Sequence, residues 1–169
     1  MVRNILLLGN PVLYQTSQPV EQKEIPGLLS DIQDMWDTIA DYRKKYGAGR
    51  AIAAPQIGLL KRIICTKIPG RDPQALINPQ LEWIDQEQME VMDDCMSFPG
   101  LLVRLNRFKR CKITFRDLDW NLHTMELEGD LSELIQHEYD HLDGILATMH
   151  AKTPQDLFYR LPNQKEICE

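Results

Sequence analysis

With 169 residues, of which 43% are hydrophobic and 26% charged, the chain has the length and composition of one folded domain with a substantial core, residues 1–169. A formal net charge of −6 argues against a general nucleic-acid or anionic-membrane surface, and the basic run at 104–112 (RLNRFKRCK) is expected to be the outer face of a strand. The apolar run at 5–8 (ILLL) is too short for a signal-peptide core or a membrane span. The expectation is therefore a cytoplasmic protein whose Cys65, Cys95, Cys111 and Cys168 are thiols and not a disulfide framework.

After a sharp turn at Gly9-Asn10-Pro11, residues 26–46 place Leu28, Leu29, Ile32, Met35, Trp36, Ile39 and Tyr42 at three- and four-residue steps. That periodicity, with Asp31, Asp34, Asp37 and Asp41 between, predicts an amphipathic helix. Residues 50–58 (RAIAAPQIG) predict a loop packed beneath a helix, since small residues permit close backbone approach and Pro55 sets the turn before Gln56. Residues 62–68 (RIICTKI) predict a strand, and 75–84 (ALINPQLEWI) a strand interrupted at Pro79 by an edge or a bulge. Residues 89–100 (MEVMDDCMSFPG) read as an acidic, cysteine-bearing turn closed by Pro-Gly. Residues 101–115 and 121–127 predict two strands joined at 117–120.

The stretch 131–144 (LSELIQHEYDHLDG) is the most informative. Asp130 and Glu133 have the spacing of an N-terminal capping box, and Gly144 that of a helix stop. A short strand at 145–149 and a helical turn at 155–159 are expected beyond it, in a tail that spans about 152–169. His137, Glu138 and His141 form H-E-x-x-H, which on a helix puts two imidazoles on one face, able to share a divalent metal, with a carboxylate beside them to handle the proton of a water. Two surface histidines on a salt-bridged helix would give the same pattern. A third ligand is needed, and Ala147 stands where a metzincin would have its histidine. Glu166 and Glu169 are downstream acids near the end of the sequence; Cys95, in a tight DDCMS turn, is the better donor, while Cys65 and Cys111 fit buried strand positions.

Three co-linear segments, GRAIAAPQ at 49–56, DDCMS at 93–97 and HEYDH at 137–141, resemble the G-x-G-x-A-A-P-Q, E-G-C-L-S and H-E-x-x-H signatures of peptide deformylases. The likeness extends through INP and QHEYDHLDGIL. It implies an α+β fold of antiparallel strands around a metal-binding helix, and removal of N-formyl groups from new polypeptides with one divalent metal, usually Fe²⁺, with Zn²⁺ or Ni²⁺ possible. Carried over by position, Cys95, His137 and His141 would hold the metal and Glu138 would be the general base. The Gln56 amide and Met96 N–H would hold the oxyanion, and Arg107 would pair with Asp140 behind the ligands.

The departures fall at the substrate. Ala51 and Asp94 replace glycines of the motifs, Asp93 shortens a glutamate, and Arg50 and Glu133 replace apolar residues of the pocket that takes a methionine side chain. These four positions, Arg50, Ala51, Asp94 and Glu133, imply a substrate other than formylmethionyl peptide, unless Arg50 and Glu133 neutralise each other or point to solvent. Leu102 stands where the family places a substrate-steadying arginine, with Arg104 as a candidate replacement. The tail lacks a long basic helix, so ribosome docking by that route is not expected. The competing readings are a paralogue that binds without turnover and a general H-E-x-x-H peptidase.

Overall fold

The computed structural model describes residues 1–160. The first helix, α1 (Ile25–Tyr46), follows the sequence pattern closely: Leu28, Ile32, Met35 and Ile39 are buried, while Leu29 is exposed. Pro26 occupies the first turn, where a missing N–H costs nothing, and Arg43, Lys44 and Lys45 lie at the negative end of the helix dipole. Gly47, at φ 71°, ends it in the left-handed conformation.

Two antiparallel sheets follow. The larger has the order β1-β2-β3-β6-β7, formed by β1 (Ala51–Ala53), β2 (Ile63–Thr66), β3 (Gln74–Trp83), β6 (Arg110–Arg116) and β7 (Leu122–Glu128). The smaller has the order β4-β5-β8, from β4 (Gln88–Asp94), β5 (Leu101–Phe108) and β8 (Leu157–Tyr159). The second helix is α2 (Asp130–Leu142).

The continuous apolar run of β2 is explained by cover on both faces. Ile63 and Cys65 join Ile52 and Ile77 in a cluster with Ile32, Met35 and Ile39 of α1. Ile64 joins Leu76, Ile113 and Leu127 in a second cluster with Ile135 and Leu142 of α2. The larger sheet thus lies between the two helices, and burial of both faces fixes its register.

Several local expectations hold with a physical reason. In β3 the register shifts between Ile77 and Gln80, around Pro79, and Asn78 sits at φ 49°. The Asn78 amide compensates by accepting from the Val20 N–H and donating to the Val20 carbonyl, both at 2.8 Å. Gly144 stops α2 at φ 73°, and a Cβ there would lie 2.6 Å from the backbone of Tyr14. Gly144→Ala should therefore lower stability by about 2 kcal/mol or more, read as a shifted denaturation midpoint.

Others are corrected. Residues 88–94 form β4 and not a loop, because every residue pairs with β5 and the acids lie on a strand. The single strand expected over 101–115 is two, since the chain passes from the smaller sheet to the larger at Lys109, whose carbonyl accepts from Gly129 and whose N–H donates to Glu87. Residues 51–53 of the expected loop form an edge strand, followed by a 3-10 turn over Ala54–Ile57. Residues 147–150 form a 3-10 turn and not a strand. Likewise, among the described residues of the tail only Pro154–Asp156 turns, and the next three residues pair with β5. Asp130 does not cap α2: Gly129 holds that position, and the Asp130 carboxylate pairs instead with Arg50. Of the expected tail, residues 161–169, including Cys168, Glu166 and Glu169, lie outside the described residues.

Candidate metal centre and active site

Helix α2 carries His137 and His141 one turn apart on its buried side, and Cys95 follows the end of β4 directly. Their ligand atoms all lie within 4.8 Å of one another, with Cys95 Sγ 3.2 Å from His141 Nε2. Cys65 and Cys111 are buried in the apolar clusters, away from this group.

The ring of His137 is oriented from behind. Asp93 Oδ1 is 2.7 Å from His137 Nδ1, which leaves Nε2 to face the ligand cluster. The other Asp93 oxygen accepts from Arg107 Nη2 and Nε at 2.7 and 3.1 Å, and Arg107 also pairs with Asp140. Asp140 in turn contacts His150 Nε2 at 2.8 Å. Although burial works to raise it, His137 and Arg107 hold the Asp93 carboxyl down at about 2. The expected Arg107–Asp140 pair is thus present, but Arg107 is buried and bridges two carboxylates, so the basic run is not simply an outer face. The roles of Asp93 and His150 were not legible in the sequence, because they depend on β4, β5 and α2 meeting.

The electrostatics suit a bound cation. Burial opposes charge on His137, but Asp93 and Cys95 outweigh it and hold its pKa well above the usual histidine range. Positive charge is therefore drawn to this point. Burial and the neighbouring His137 push His141 well below that range, which leaves it neutral with a lone pair to share. One thiolate and two imidazoles form a donor set for borderline divalent metals.

Beside the cluster, burial pushes the Glu138 carboxyl up to about 7, and its Oε2 has no hydrogen-bond partner among the described residues. Gln56 is fully enclosed: its Oε1 accepts from Ala53 N–H at 2.9 Å, which turns the amide nitrogen toward Ser97 Oγ (3.1 Å) and Cys95 Sγ (3.5 Å). Ser97, which ends the DDCMS segment and had no role in the sequence reading, also donates its N–H to Cys95 Sγ at 3.4 Å. The Met96 N–H donates to no group among the described residues.

A cavity of about 410 Å³ opens from His137, Glu138 and Cys95 and is also lined by Arg50, Ala51, Asp94 and Glu133. Arg50 and Glu133 do not neutralise each other, because Asp130 takes the Arg50 guanidinium. Arg104 pairs with Asp156 and lies outside the cavity, and Leu102 is buried.

Glu133 is pushed up to about 7 by partial burial and by the nearby charges of Asp93 and Asp130. Between its ordinary 4.5 and that value the folded chain holds more protons than the unfolded one, so this group lowers stability as pH rises through the window. The partial exposure of the carboxyl reduces the effect to about 1 kcal/mol. Glu133→Gln should accordingly be more stable than the parent chain at pH 8 by about that amount and equal to it at pH 4, measured by chemical denaturation.

The polypeptide deformylase family model matches residues 2–156. The chain belongs to the peptide deformylase family. It is 34% identical over 142 residues to the peptide deformylase of Thermotoga maritima, covering 84% of this chain and 82% of that one. Its identity to the enzyme of Lachnoclostridium phytofermentans is 36% over 146 residues, covering 85% of each. The crystal structure of the Thermotoga maritima deformylase superposes with a TM-score of 0.80 at 32% identity, over 90% of this chain and 99% of that one. The fold is accordingly the deformylase α+β fold with antiparallel sheets and a long helix. The activity is metal-dependent hydrolysis that removes the formyl group from N-formylated peptides. Among the described residues no helix is long and apolar enough to cross a membrane.

Proposed function

We propose that residues 1–169 form a single deformylase domain in which Cys95, His137 and His141 hold one divalent metal, Fe²⁺ in the cytoplasm, and Glu138 is the general base. The observation that carries this reading is the convergence of the three donor atoms beside a buried carboxylate with an unpartnered oxygen. When bound, a divalent metal there lowers the pKa of a water and polarises the formyl carbonyl. Zn²⁺ and Ni²⁺ are compatible with the same donors.

Glu138 takes a proton from the attacking water as a bond forms to the formyl carbon. It returns that proton to the nitrogen as the C–N bond breaks, giving formate and a free amine. A pKa near 7 suits both halves of that task at neutral pH. The Gln56 amide, locked by Ala53, and the Met96 N–H donate to the developing oxyanion. Arg107 and Asp140 position His137 through Asp93. Arg50, Ala51, Asp94 and Glu133 receive the residue next to the formyl group.

All five basic residues of the 104–112 run are matched by acids, Arg104 by Asp156, Arg107 by Asp93 and Asp140, Lys109 by Glu87, Arg110 by Asp85 and Lys112 by Glu82. This supports a small formylated partner in preference to nucleic acid, membrane lipid or the ribosome. Formate release by anaerobically purified, metal-analysed protein tests the assignment. Protein that holds its metal and releases no formate from any formyl peptide would overturn it.

A further inference from the structure

The walls of the 410 Å³ cavity contain carboxyl groups with no hydrogen bond or ion pair among the described residues. Of its four carboxylates, Asp93 is taken by Arg107 and His137, and Glu138 belongs to the reaction centre. Of its two guanidinium groups, Arg43 donates to the carbonyls of Gly49 and Lys67, and Arg50 is held by Asp130, which does not line the cavity. Asp94 and Glu133 remain, and neither side chain has a hydrogen bond or ion pair among the described residues.

Asp94 is exposed and keeps its water, but Glu133 is partly buried without a donor and has lost water with no hydrogen bond in return. A thioether placed against it would complete that loss. A side chain with an aliphatic stem and a terminal N–H group would reverse it, with the stem along Tyr42 and Leu134 and the head at Glu133. Resting on the deformylase reading of the site, we infer that Glu133 makes it prefer N-formylated substrates whose first side chain ends in a cationic nitrogen over formylmethionyl peptides. The preference acts at the same centre and uses the same reaction. Asp130 holds the Arg50 guanidinium, so Arg50 acts on Glu133 through its charge and forms no ion pair with it.

The test compares kcat/KM of the metal-loaded chain on formyl-Lys-Ala-Ser, formyl-Arg-Ala-Ser, formyl-Met-Ala-Ser and the formyl-norleucine analogue. The cationic peptides should be favoured by about tenfold or more. Glu133→Ile should invert that ratio, lowering turnover of formyl-Lys and raising that of formyl-Met. A second readout needs no turnover: Lys-Ala-Ser should bind the Glu138→Gln protein about tenfold more tightly than Met-Ala-Ser by calorimetry, and adding Glu133→Gln should reduce the gap. Should Glu133→Ile fail to melt cooperatively, Glu133→Gln carries the comparison. Formyl-Met cleaved as efficiently as formyl-Lys overturns the preference and leaves the deformylase assignment standing. Metal-bound protein inactive on all four peptides overturns both.

Discussion

Glu138→Gln should lower kcat/KM for formate release by about 10²- to 10⁴-fold while the metal content stays that of the parent protein. The amide is nearly isosteric with the carboxyl but can neither take the proton from water nor return it to the amine. Because His137 and His141 are separate donors, the change leaves the ligand set whole. It should also leave the fold whole. Burial pushes the Glu138 carboxyl up to about 7, so its ionised form costs stability at higher pH, and removal of the titration relieves that cost. The expected result is a protein that melts at or above the parent temperature at pH 8 and is nearly inactive. Parallel loss of activity and melting temperature would mean that Glu138 has a structural role instead.

Arg107→Leu should lower stability by about 3–5 kcal/mol, the largest effect expected outside the ligands. Arg107 is almost completely buried and holds Asp93 and Asp140 together. Leucine fills part of the volume but leaves both carboxylates enclosed without their cation. Asp93 would then lose part of the influence that holds it near 2, and its grip on His137 Nδ1 would weaken as its protonated form became accessible. The sign of the pH dependence follows. In the parent chain the depressed Asp93 contributes stability that is present above its ordinary 3.8 and is lost as pH falls toward 2. In the variant the folded-state value of Asp93 lies closer to 3.8, so that contribution and its loss on acidification should both be smaller. Metal affinity should fall by about 10- to 100-fold with the loss of orientation behind His137. Chemical denaturation at several pH values, with a competitive chelator titration, reads both effects. A variant of unchanged stability and metal affinity would show the buried network to be dispensable.

Much of this site was legible before any coordinates. H-E-x-x-H at 137–141 brings two imidazoles and a carboxyl together because four residues are about one helical turn, and the DDCMS segment supplies a cysteine. Helix α1 was legible for the same reason, as its apolar stripe repeats with the helical period. The bulge at Pro79 and the stop at Gly144 follow from backbone chemistry that only those residues satisfy.

Local pattern failed where a neighbour in space won. Asp130 has a good capping side chain, yet Arg50, eighty residues away in sequence, pairs with it and leaves Gly129 at the cap. Residues 88–94 are rich in acids and methionine, a weak strand signal, but pairing with β5 along their whole length makes them a strand. The run at 101–115 is uniform in sequence, and nothing local marks Lys109 as the point where the chain changes sheets. By itself, then, the sequence determined the H-E-x-x-H and DDCMS segments, the family resemblance and the principal helix, all of which rest on short-range spacing. Tertiary structure decided which acid stands behind His137, where Arg107 is buried, and that Arg50 turns to Asp130 while Glu133 has no ion pair among the described residues. Those are competitions among several similar charges, and distance in the folded chain, which local sequence does not encode, selects the winner.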